Sequence, residues 1–199
     1  PNDAKLALQF VLNYEEGGEN SILNGDKYSE TFLSEIIGAK AIKGRHISME
    51  SIYEYGSRVG FWRLDKLFKE KKIPVTIFGV GLALKQNPEI CDAIKKGDYE
   101  IAAHGYRWID YQNIKKSVEK KHMQQAIKTI KDIFGSRPLG WYTGRCSPNT
   151  RDLVFDDGGF LYDSDSYSDD LPYWEYRGKK KQLIIPYTLD NNDMRFASN

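Results

Sequence analysis

The residues best suited to chemistry are two adjacent carboxylates, Glu15 and Glu16, which follow the apolar run 6–12. Side chains alternate along a strand, so the two would face opposite sides if the strand continued. Gly17 and Gly18 permit a sharp exit instead, and both carboxylates could then be presented at one strand end. Two carboxylates in such a place are suited to general acid–base catalysis. The alternative is a solvated turn after an ordinary strand.

Polar side chains also follow the other apolar segments of the chain. The carboxyl ends of parallel strands are the edge where α/β proteins place their functional groups, so repeated polar ends favour one functional face. The candidates at successive strand ends are His104; Tyr142 and Arg145; Asp163 and Asp165; and Asp190 and Asp193. The alternatives are a structural histidine at a strand end, a surface ion pair for Arg145, and simple Asp-rich turns.

Alternating strands and helices are predicted to position these residues. Apolar segments and their breakers predict strands at 5–12, 75–80, 99–103, 139–143, 161–163 and 183–186, and helices at 49–55, 60–71, 88–96, 114–134 and 152–155. This order predicts an α/β domain with a parallel sheet and right-handed crossovers. No linker or repeat interrupts residues 1–199, so one domain is expected. Residues 18–48 lack clear periodicity and are predicted to form a functional or interface-forming excursion.

The composition is typical of a globular protein, with 199 residues of which 40% are hydrophobic and 29% are charged. The net charge of +1 gives no support for nucleic acid or an anionic membrane as a partner. No stretch reaches transmembrane length, and no secretory signal is visible. Two widely separated cysteines favour free thiols and a cytoplasmic location. The chain starts at Pro1 and stops after a polar loop where further strands are expected, which indicates truncation.

Three of these segments resemble the polysaccharide deacetylase (NodB-like) superfamily: residues 15–17 after the first strand, His104-Gly105 after the third, and the aromatic-rich loop after the fourth. The resemblance covers essentially the whole chain and implies an irregular (β/α)-barrel, incomplete here. Metal-dependent members carry Asp-Asp-Gly and His-Ser/Thr-x-x-His, in which the first Asp is the base and the second Asp and both histidines bind a divalent metal. Here both aspartates are glutamates and the second histidine is Trp108, which cannot ligate. Since metal sites normally keep three protein ligands, no tightly held metal is implied.

One branch of that superfamily, the cofactor-independent allantoinases of urate catabolism, is similar over longer strings, at 9–19, 103–108, 141–150 and 190–196. The similarity implies hydrolysis of a hydantoin ring amide, in which (S)-allantoin and water give allantoate. It also implies a small-molecule partner (allantoin or a related ureide), no cofactor, and a homo-oligomer. A weakly held divalent metal at Glu16 and His104 stays open as an alternative.

The resemblance also distributes roles among the candidates. Glu15, at the position of the family's base, is expected to activate water, with its pKa raised by partial burial or by Glu16. Glu16 and His104 are expected to form a pair that orients water or protonates the leaving nitrogen. Which glutamate is the base stays open. The substrate-binding candidates are Arg145, Trp108, Tyr142 and Asp165; a plain core position is an equal alternative for Trp108.

Two other functions stay open. The first is a metal-dependent N-deacetylase of chitin or peptidoglycan, which the superfamily favours but which expects the second histidine and an exported chain. The second is a binding protein that has kept the pocket and lost the chemistry. Acetate release from N-acetylglucosamine oligomers, with metal in the protein, would favour the first. Allantoin binding without turnover would favour the second.

Overall fold

A computed structural model describes residues 3–194 of the chain. Its strands are β1 (Phe10–Tyr14), β2 (Val75–Gly79), β3 (Glu100–Ala103), β4 (Gly140–Trp141), β5 (Tyr162–Asp163), β6 (Tyr173–Arg177) and β7 (Lys180–Ile184). Its α-helices are α1 (Ile47–Tyr55), α2 (Phe61–Lys71), α3 (Gly81–Gln86), α4 (Pro88–Lys96), α5 (Lys116–Phe134) and α6 (Thr150–Asp157). Short 3₁₀ turns lie at Ile22–Asn24 and Leu189–Asn191. None of these helices is long and apolar enough to span a membrane.

The strands of this part of the chain form one sheet in the order β1-β2-β3-β4-β5-β7-β6. All neighbours pair in parallel except β6, which is antiparallel to β7. Strands β1 and β6 are the two edges, so the sheet of the described residues is not closed. The predicted α/β class with a mostly parallel sheet is therefore confirmed.

The two faces of the sheet bury different side chains, because successive residues of a strand alternate. In β2, Ile77 belongs to the larger core cluster, whereas Phe78 belongs to a smaller cluster with Tyr142. In β1, Tyr14 joins the larger cluster and packs edge-on against Phe61 of α2, with ring centroids 5.8 Å apart. The larger cluster thus lies under the helices, and the smaller one lies on the opposite face.

Two predictions about the strands are wrong. The first strand begins at Phe10 rather than residue 5, because its pairing with β2 starts there, and Leu6 and Leu8 are exposed. Strands and helices also do not alternate throughout. Tyr173–Arg177 forms β6, and Gly178, with φ of 59°, turns the chain directly into β7. The predicted alternation of strands and helices did not include this hairpin.

The segments predicted as two helices after residue 48 form one continuous helical path. The π-helical segment Gly56–Gly60 joins α1 to α2. Of the predicted core face of α2, Phe61 and Phe68 are buried, whereas Leu64 and Leu67 are largely exposed. A π segment inside a helix often lies near a functional site.

Residues 18–48 form an irregular excursion, as predicted. Ser29 and Ile42 make an isolated antiparallel bridge within it. Arg107, in the loop after β3, donates to the Gly18 carbonyl at 3.1 Å and pairs with Asp26 at 2.5 Å. These contacts fasten the excursion to the loop that follows β3, beside the strand ends.

Candidate active site

A carboxylate and an imidazole meet at the carboxyl ends of two strands. Glu15 follows β1 and His104 follows β3, with β2 between them. Oε1 of Glu15 lies 3.0 Å from Nε2 of His104. The His104 side chain is 2% exposed and that of Glu15 is 20% exposed, so the pair is reached from the glutamate side. Two candidates separated by 89 positions are therefore in direct contact.

The second ring nitrogen of His104 determines where the protons of this pair lie. Nδ1 is 3.1 Å from the backbone carbonyl oxygen of Tyr142. Since a carbonyl oxygen only accepts, Nδ1 carries a proton. The contact between Nε2 and Glu15 then holds one proton, which gives either an imidazolium–carboxylate pair or a carboxylic acid beside a neutral imidazole. Either form places one exchangeable proton at a defined position, as general acid–base catalysis requires.

Glu16 does not pair with His104, and that prediction is wrong. Both ring nitrogens of His104 have other partners, and Oε2 of Glu16 accepts the backbone N–H of Glu15 at 3.0 Å. Oε1 of Glu16 packs on the π segment, where a Cβ built on Gly56 would lie 2.1 Å from it. β1 ends at Tyr14, and the turn that follows, closed by the Gly18 N–H donating to the Glu15 carbonyl at 2.8 Å, directs the two glutamates to different partners. Burial raises the pKa of Glu16 to about 7 against the opposing effect of backbone N–H donors, and the carboxylates of Glu15 and Glu19 add to the rise.

Trp108, which stands in place of the family's second histidine, is part of an aromatic wall. We call Phe32, Tyr53 and Trp108 the aromatic wall. The ring centroid of Trp108 lies 5.9 Å from that of Phe32 and 6.2 Å from that of Tyr53. The guanidinium carbon of Arg145 is 3.8 Å from the Trp108 centroid and 5.2 Å from that of Phe32, a cation–π arrangement. Trp108 therefore belongs to the core cluster and also carries a candidate substrate-binding cation.

Glu30 holds Arg145 in place, although sequence reasoning did not select it. Its Oε2 accepts Nη1–H of Arg145 at 3.2 Å, and its Oε1 accepts the backbone N–H groups of Thr31 and Phe32 at 2.9 Å each. Nε and Nη2 of Arg145 make no hydrogen bond to residues 3–194. These N–H groups are left for a planar acceptor. In the sequence, the only signal for Glu30 was its position in the irregular excursion of residues 18–48.

The two aspartates after β5 have different partners. Oδ1 of Asp165 accepts the backbone N–H groups of Thr143 and Gly144 at 2.8 Å each, whereas its buried Oδ2 has no hydrogen-bond partner in the described residues. Oδ2 of Asp163 instead lies 3.1 Å from Nε of Arg151, in a structural ion pair. Burial raises the pKa of both carboxyl groups. Asp165 therefore leaves one acceptor oxygen near the end of β4, whereas Oδ2 of Asp163 faces the Arg151 guanidinium without a hydrogen bond.

Tyr142 contacts the Glu15–His104 pair with both its backbone and its ring. Its carbonyl oxygen accepts from His104, and the two rings lie 4.9 Å apart. The Tyr142 ring also lies 5.2 Å from that of Phe78 and stacks on that of Tyr187, at 4.6 Å with an interplanar angle of 5°. The Tyr142 hydroxyl lies 3.2 Å from that of Tyr167. Tyr142 therefore buttresses His104, and Tyr187 is a neighbour that sequence reasoning missed.

The loop that carries Arg145, between β4 and α6, is held by a buried carboxylate of α5. Ser147 donates its hydroxyl to Oε2 of Glu119 at 2.5 Å, and Thr150 donates to Oε1. The carbonyl of Arg145 accepts the backbone N–H of Tyr111 at 3.0 Å. Both ends of the loop are thereby fixed to other elements.

The remaining polar candidates are not brought to the pair. Asp190 and Asp193 are exposed, and residues 195 and 196 of the same string lie outside the described residues. His122 is half-buried with Nδ1 3.0 Å from the Tyr111 hydroxyl, and burial lowers its pKa. Burial raises the pKa of Cys146, which keeps it a thiol rather than a nucleophilic thiolate.

The donors at this site do not fit the divalent metal that the deacetylase superfamily's chemistry implies. Trp108 cannot ligate, Glu16 faces away, and both nitrogens of His104 are already partnered. Across residues 3–194, no three His, Cys, Asp or Glu side chains are grouped so as to hold a metal ion. Metal sites normally keep three protein ligands. The steps proposed below therefore use only side chains of this chain.

A mostly parallel sheet with a carboxylate–imidazole pair at its strand ends places groups suited to acid–base catalysis where α/β enzymes carry their active sites. The family profile described as polysaccharide deacetylase matches residues 46–154, more than half of the chain. The chain belongs to the polysaccharide deacetylase family.

Three similar proteins narrow the comparison. A Schizosaccharomyces pombe protein named as a polysaccharide deacetylase is 42% identical over 216 aligned residues, covering 99% of this chain and 67% of that protein. A Pseudomonas aeruginosa PAO1 structure with the same family name is 57% identical with a TM-score of 0.95, covering 99% of this chain and 67% of the other. The structure of PuuE allantoinase is 57% identical with a TM-score of 0.92, covering 95% and 64%. The chain thus spans about two thirds of the length of each relative.

Proposed function

We propose that this protein hydrolyses a cyclic amide and opens (S)-allantoin to allantoate without a metal. The observation that carries the proposal is the 3.0 Å contact between Glu15 and His104, beside a loop in which Trp108 replaces the second histidine of the metal-binding motif. The 57% identity to PuuE allantoinase supports the same substrate class. In this proposal Glu15 and His104 are catalytic, and Arg145 and Asp165 bind the substrate.

The proposed reaction begins when Glu15 takes a proton from a water molecule. At the same time the water oxygen forms a bond to the carbonyl carbon of the ring. Oε2 of Glu15 makes no hydrogen bond to residues 3–194, so it is available to accept this proton. Arg145 stabilises the oxyanion through its unused N–H groups. When the carbon–nitrogen bond breaks, the Glu15–His104 pair returns a proton to the leaving nitrogen, and the new carboxyl group ionises. One water is thus added, and one proton is released to solvent.

The hydrogen-bonding groups of the site complement a ureide. Allantoin presents carbonyl acceptors and N–H donors in a planar ring and a ureido arm. The guanidinium of Arg145 offers donors, and the unpartnered Oδ2 of Asp165 offers an acceptor. Glu30 and Trp108 hold the Arg145 guanidinium, and two backbone N–H groups hold Asp165, which reduces the entropy lost on binding.

The direct test is turnover by the full-length protein with and without a strong chelator. We expect ring opening of allantoin, followed as allantoate formation, to continue unchanged after chelation and dialysis. Loss of this activity that is restored by added zinc would refute the metal-independent mechanism. Absence of any ring opening would refute the substrate assignment.

The alternative is a metal-dependent N-deacetylase of chitin or peptidoglycan. The family match favours it, as does a 30% identity to the Helicobacter pylori peptidoglycan deacetylase over 70% of this chain. Release of acetate from N-acetylglucosamine oligomers, together with stoichiometric metal in the purified protein, would support this alternative. Neither is expected, because Trp108 contributes no ligand.

The proposal also covers the partners and the setting. We propose a small-molecule ureide as the substrate, no nucleic-acid or membrane partner, and a homo-oligomer in the cytoplasm. Light scattering on the full-length protein would test the oligomer, for which a monomer at micromolar concentration is the contrary result.

A further inference from the structure

Arg107 joins the loop that carries His104 to the turn that follows Glu15. It lies in the loop after β3, three positions beyond His104. Its side chain is 12% exposed, so the guanidinium is largely removed from water. Burying a charged group costs free energy unless its N–H groups find acceptors. Sequence reasoning gave Arg107 no role, so the acceptors of its guanidinium are the first indication of one.

The acceptors of Arg107 are two successive backbone carbonyls and one carboxylate. Nε donates to the Gly18 carbonyl at 3.1 Å, and Nη2 donates to the Glu19 carbonyl at 3.0 Å. Nη2 also donates to Oδ2 of Asp26 at 2.5 Å, and Nη1 donates to Oδ1 at 3.4 Å. These contacts use the planar fork of the guanidinium. The ammonium group of a lysine has all its donors on one atom and cannot reproduce them.

The first of these carbonyls belongs to the turn that holds the Glu15 backbone. β1 ends at Tyr14, and the Gly18 N–H closes the turn by donating to the Glu15 carbonyl at 2.8 Å. The Gly18 carbonyl in turn accepts Nε–H of Arg107 and the backbone N–H of Trp108, the latter at 2.8 Å. A single residue, Gly18, therefore separates Glu15 from two donors of the loop after β3.

The loop that carries Arg107 is itself held where it leaves β3. The backbone N–H of His104 donates to the Gly79 carbonyl at 2.9 Å. The Gly81 N–H, at the start of α3, donates to the Gly105 carbonyl at 2.9 Å. The guanidinium of Arg107 therefore extends from a backbone that is fixed to β2 and α3 and that also carries the imidazole of the pair.

We propose that Arg107 is a positioning residue that sets the 3.0 Å contact between Glu15 and His104. Its hydrogen bonds go to the turn and to Asp26, so it acts on the pair through the backbone. A displacement of about 1 Å at a catalytic group can cost about 10²-fold in rate, so this restraint bears on turnover. The inference rests on the proposed function because it treats the pair as catalytic, but the contact itself can be observed without substrate.

The kinetic test is Arg107→Lys, which keeps the charge and loses the fork. Arg137→Lys is the matched control, because Arg137 also forms an ion pair, with Asp157 at 2.5 Å, but lies before β4 begins, at the opposite end of the sheet. We expect Arg107→Lys to lower kcat for allantoin about 10- to 100-fold, with a smaller change in KM. Arg137→Lys should leave kcat unchanged. A native kcat for Arg107→Lys would overturn the inference.

Proton NMR of the His104 ring separates the inference from the proposed function. The proton between Nε2 and Glu15 and the Nδ1 proton held by the Tyr142 carbonyl should give two downfield signals. In Arg107→Lys the first should be lost to solvent exchange while the Nδ1 signal remains, and Arg137→Lys should keep both.

Two NMR results would contradict the positioning role. An unchanged Nε2 signal in Arg107→Lys would overturn the inference even where the wild type is active. Loss of both signals would overturn it as well, because the substitution would then disturb the whole strand end rather than the pair. A wild type that shows both signals but opens no allantoin would refute the proposed function alone, and the NMR comparison would still decide the inference.

Discussion

Replacing Glu15 by Gln separates proton transfer from geometry at the catalytic pair. Glutamine has the same length, and its amide can donate to Nε2 of His104, which lies 3.0 Å from Oε1 in the native pair. Nδ1 keeps its proton toward the Tyr142 carbonyl, so the imidazole stays neutral and in place. The variant therefore loses the carboxylate that accepts a proton from water, and little else.

The expected magnitudes follow from the loss of a general base. Such a group contributes roughly 10²–10⁴-fold, so kcat for allantoin should fall at least about 10²-fold, or about 2.7 kcal/mol of transition-state stabilisation. A charge-assisted hydrogen bond is exchanged for a neutral one, which should lower the free energy of unfolding by about 1 kcal/mol. The Glu15 variant should therefore remain folded and bind substrate while turning it over slowly.

Steady-state allantoin hydrolysis and urea unfolding are the assays, with Glu16→Gln as the matched control. The control changes the neighbouring glutamate in the same way, and its amide oxygen can still accept the backbone N–H of Glu15. It faces away from His104, so its kcat should fall far less. A native kcat for Glu15→Gln, or a larger loss for Glu16→Gln, would move the base to Glu16 and refute the assignment.

Three further variants test other parts of the site. Glu16→Gln should stabilise the fold by up to about 3 kcal/mol near pH 8 but not near pH 4. Burial raises the Glu16 pKa from 4.5 to about 7, so ionising Glu16 costs the folded state nothing below pH 4.5 and the full amount above about pH 7. An equal gain in the free energy of unfolding in urea at both pH values would contradict this. Gly56→Ala should lower the free energy of unfolding by about 1–3 kcal/mol, because the added Cβ would lie 2.1 Å from Oε1 of Glu16. This loss is expected although Ala has the better helix propensity. A raised Tm would show that there is no clash. Arg145→Lys keeps the charge but loses the stacked fork on Trp108, so KM should rise about tenfold with kcat less affected, whereas an unchanged KM would argue against substrate contact.

The sequence predicted the class of fold and the edge of the sheet where the site lies. Glu15 and His104 were both identified as strand-end candidates, because parallel strands bring their carboxyl ends together whatever the intervening chain does. The direction of Glu16 was not predictable in the same way. Gly17 permits a turn but does not determine where each carboxylate points within it. In the structure β1 ends at Tyr14, the Gly18 N–H donates to the Glu15 carbonyl at 2.8 Å to close a turn, and the Glu16 side chain points to Gly56.

Contacts between distant segments were beyond sequence reasoning. Glu30 meets Arg145 across 115 positions, and the excursion that contains it has no periodicity from which a partner could be inferred. Of the hairpin, only the end of β7 was predicted, within the strand at 183–186, because β6 and the start of β7 are largely exposed and give no apolar run.

Through Glu119, the order of the loop that carries Arg145 depends on α5, a helix far from the substrate. The two hydroxyl donors to Glu119, Ser147 and Thr150, lie 28 and 31 positions further along the chain. Their hydrogen bonds therefore close a long loop, and the packing of α5 must offset the conformational entropy that this closure costs. Local opening of α5 would release the loop and Arg145 together. Hydrogen exchange in that loop should therefore follow the opening of α5, and weakening the helix alone would disorder a substrate-binding group that it never touches.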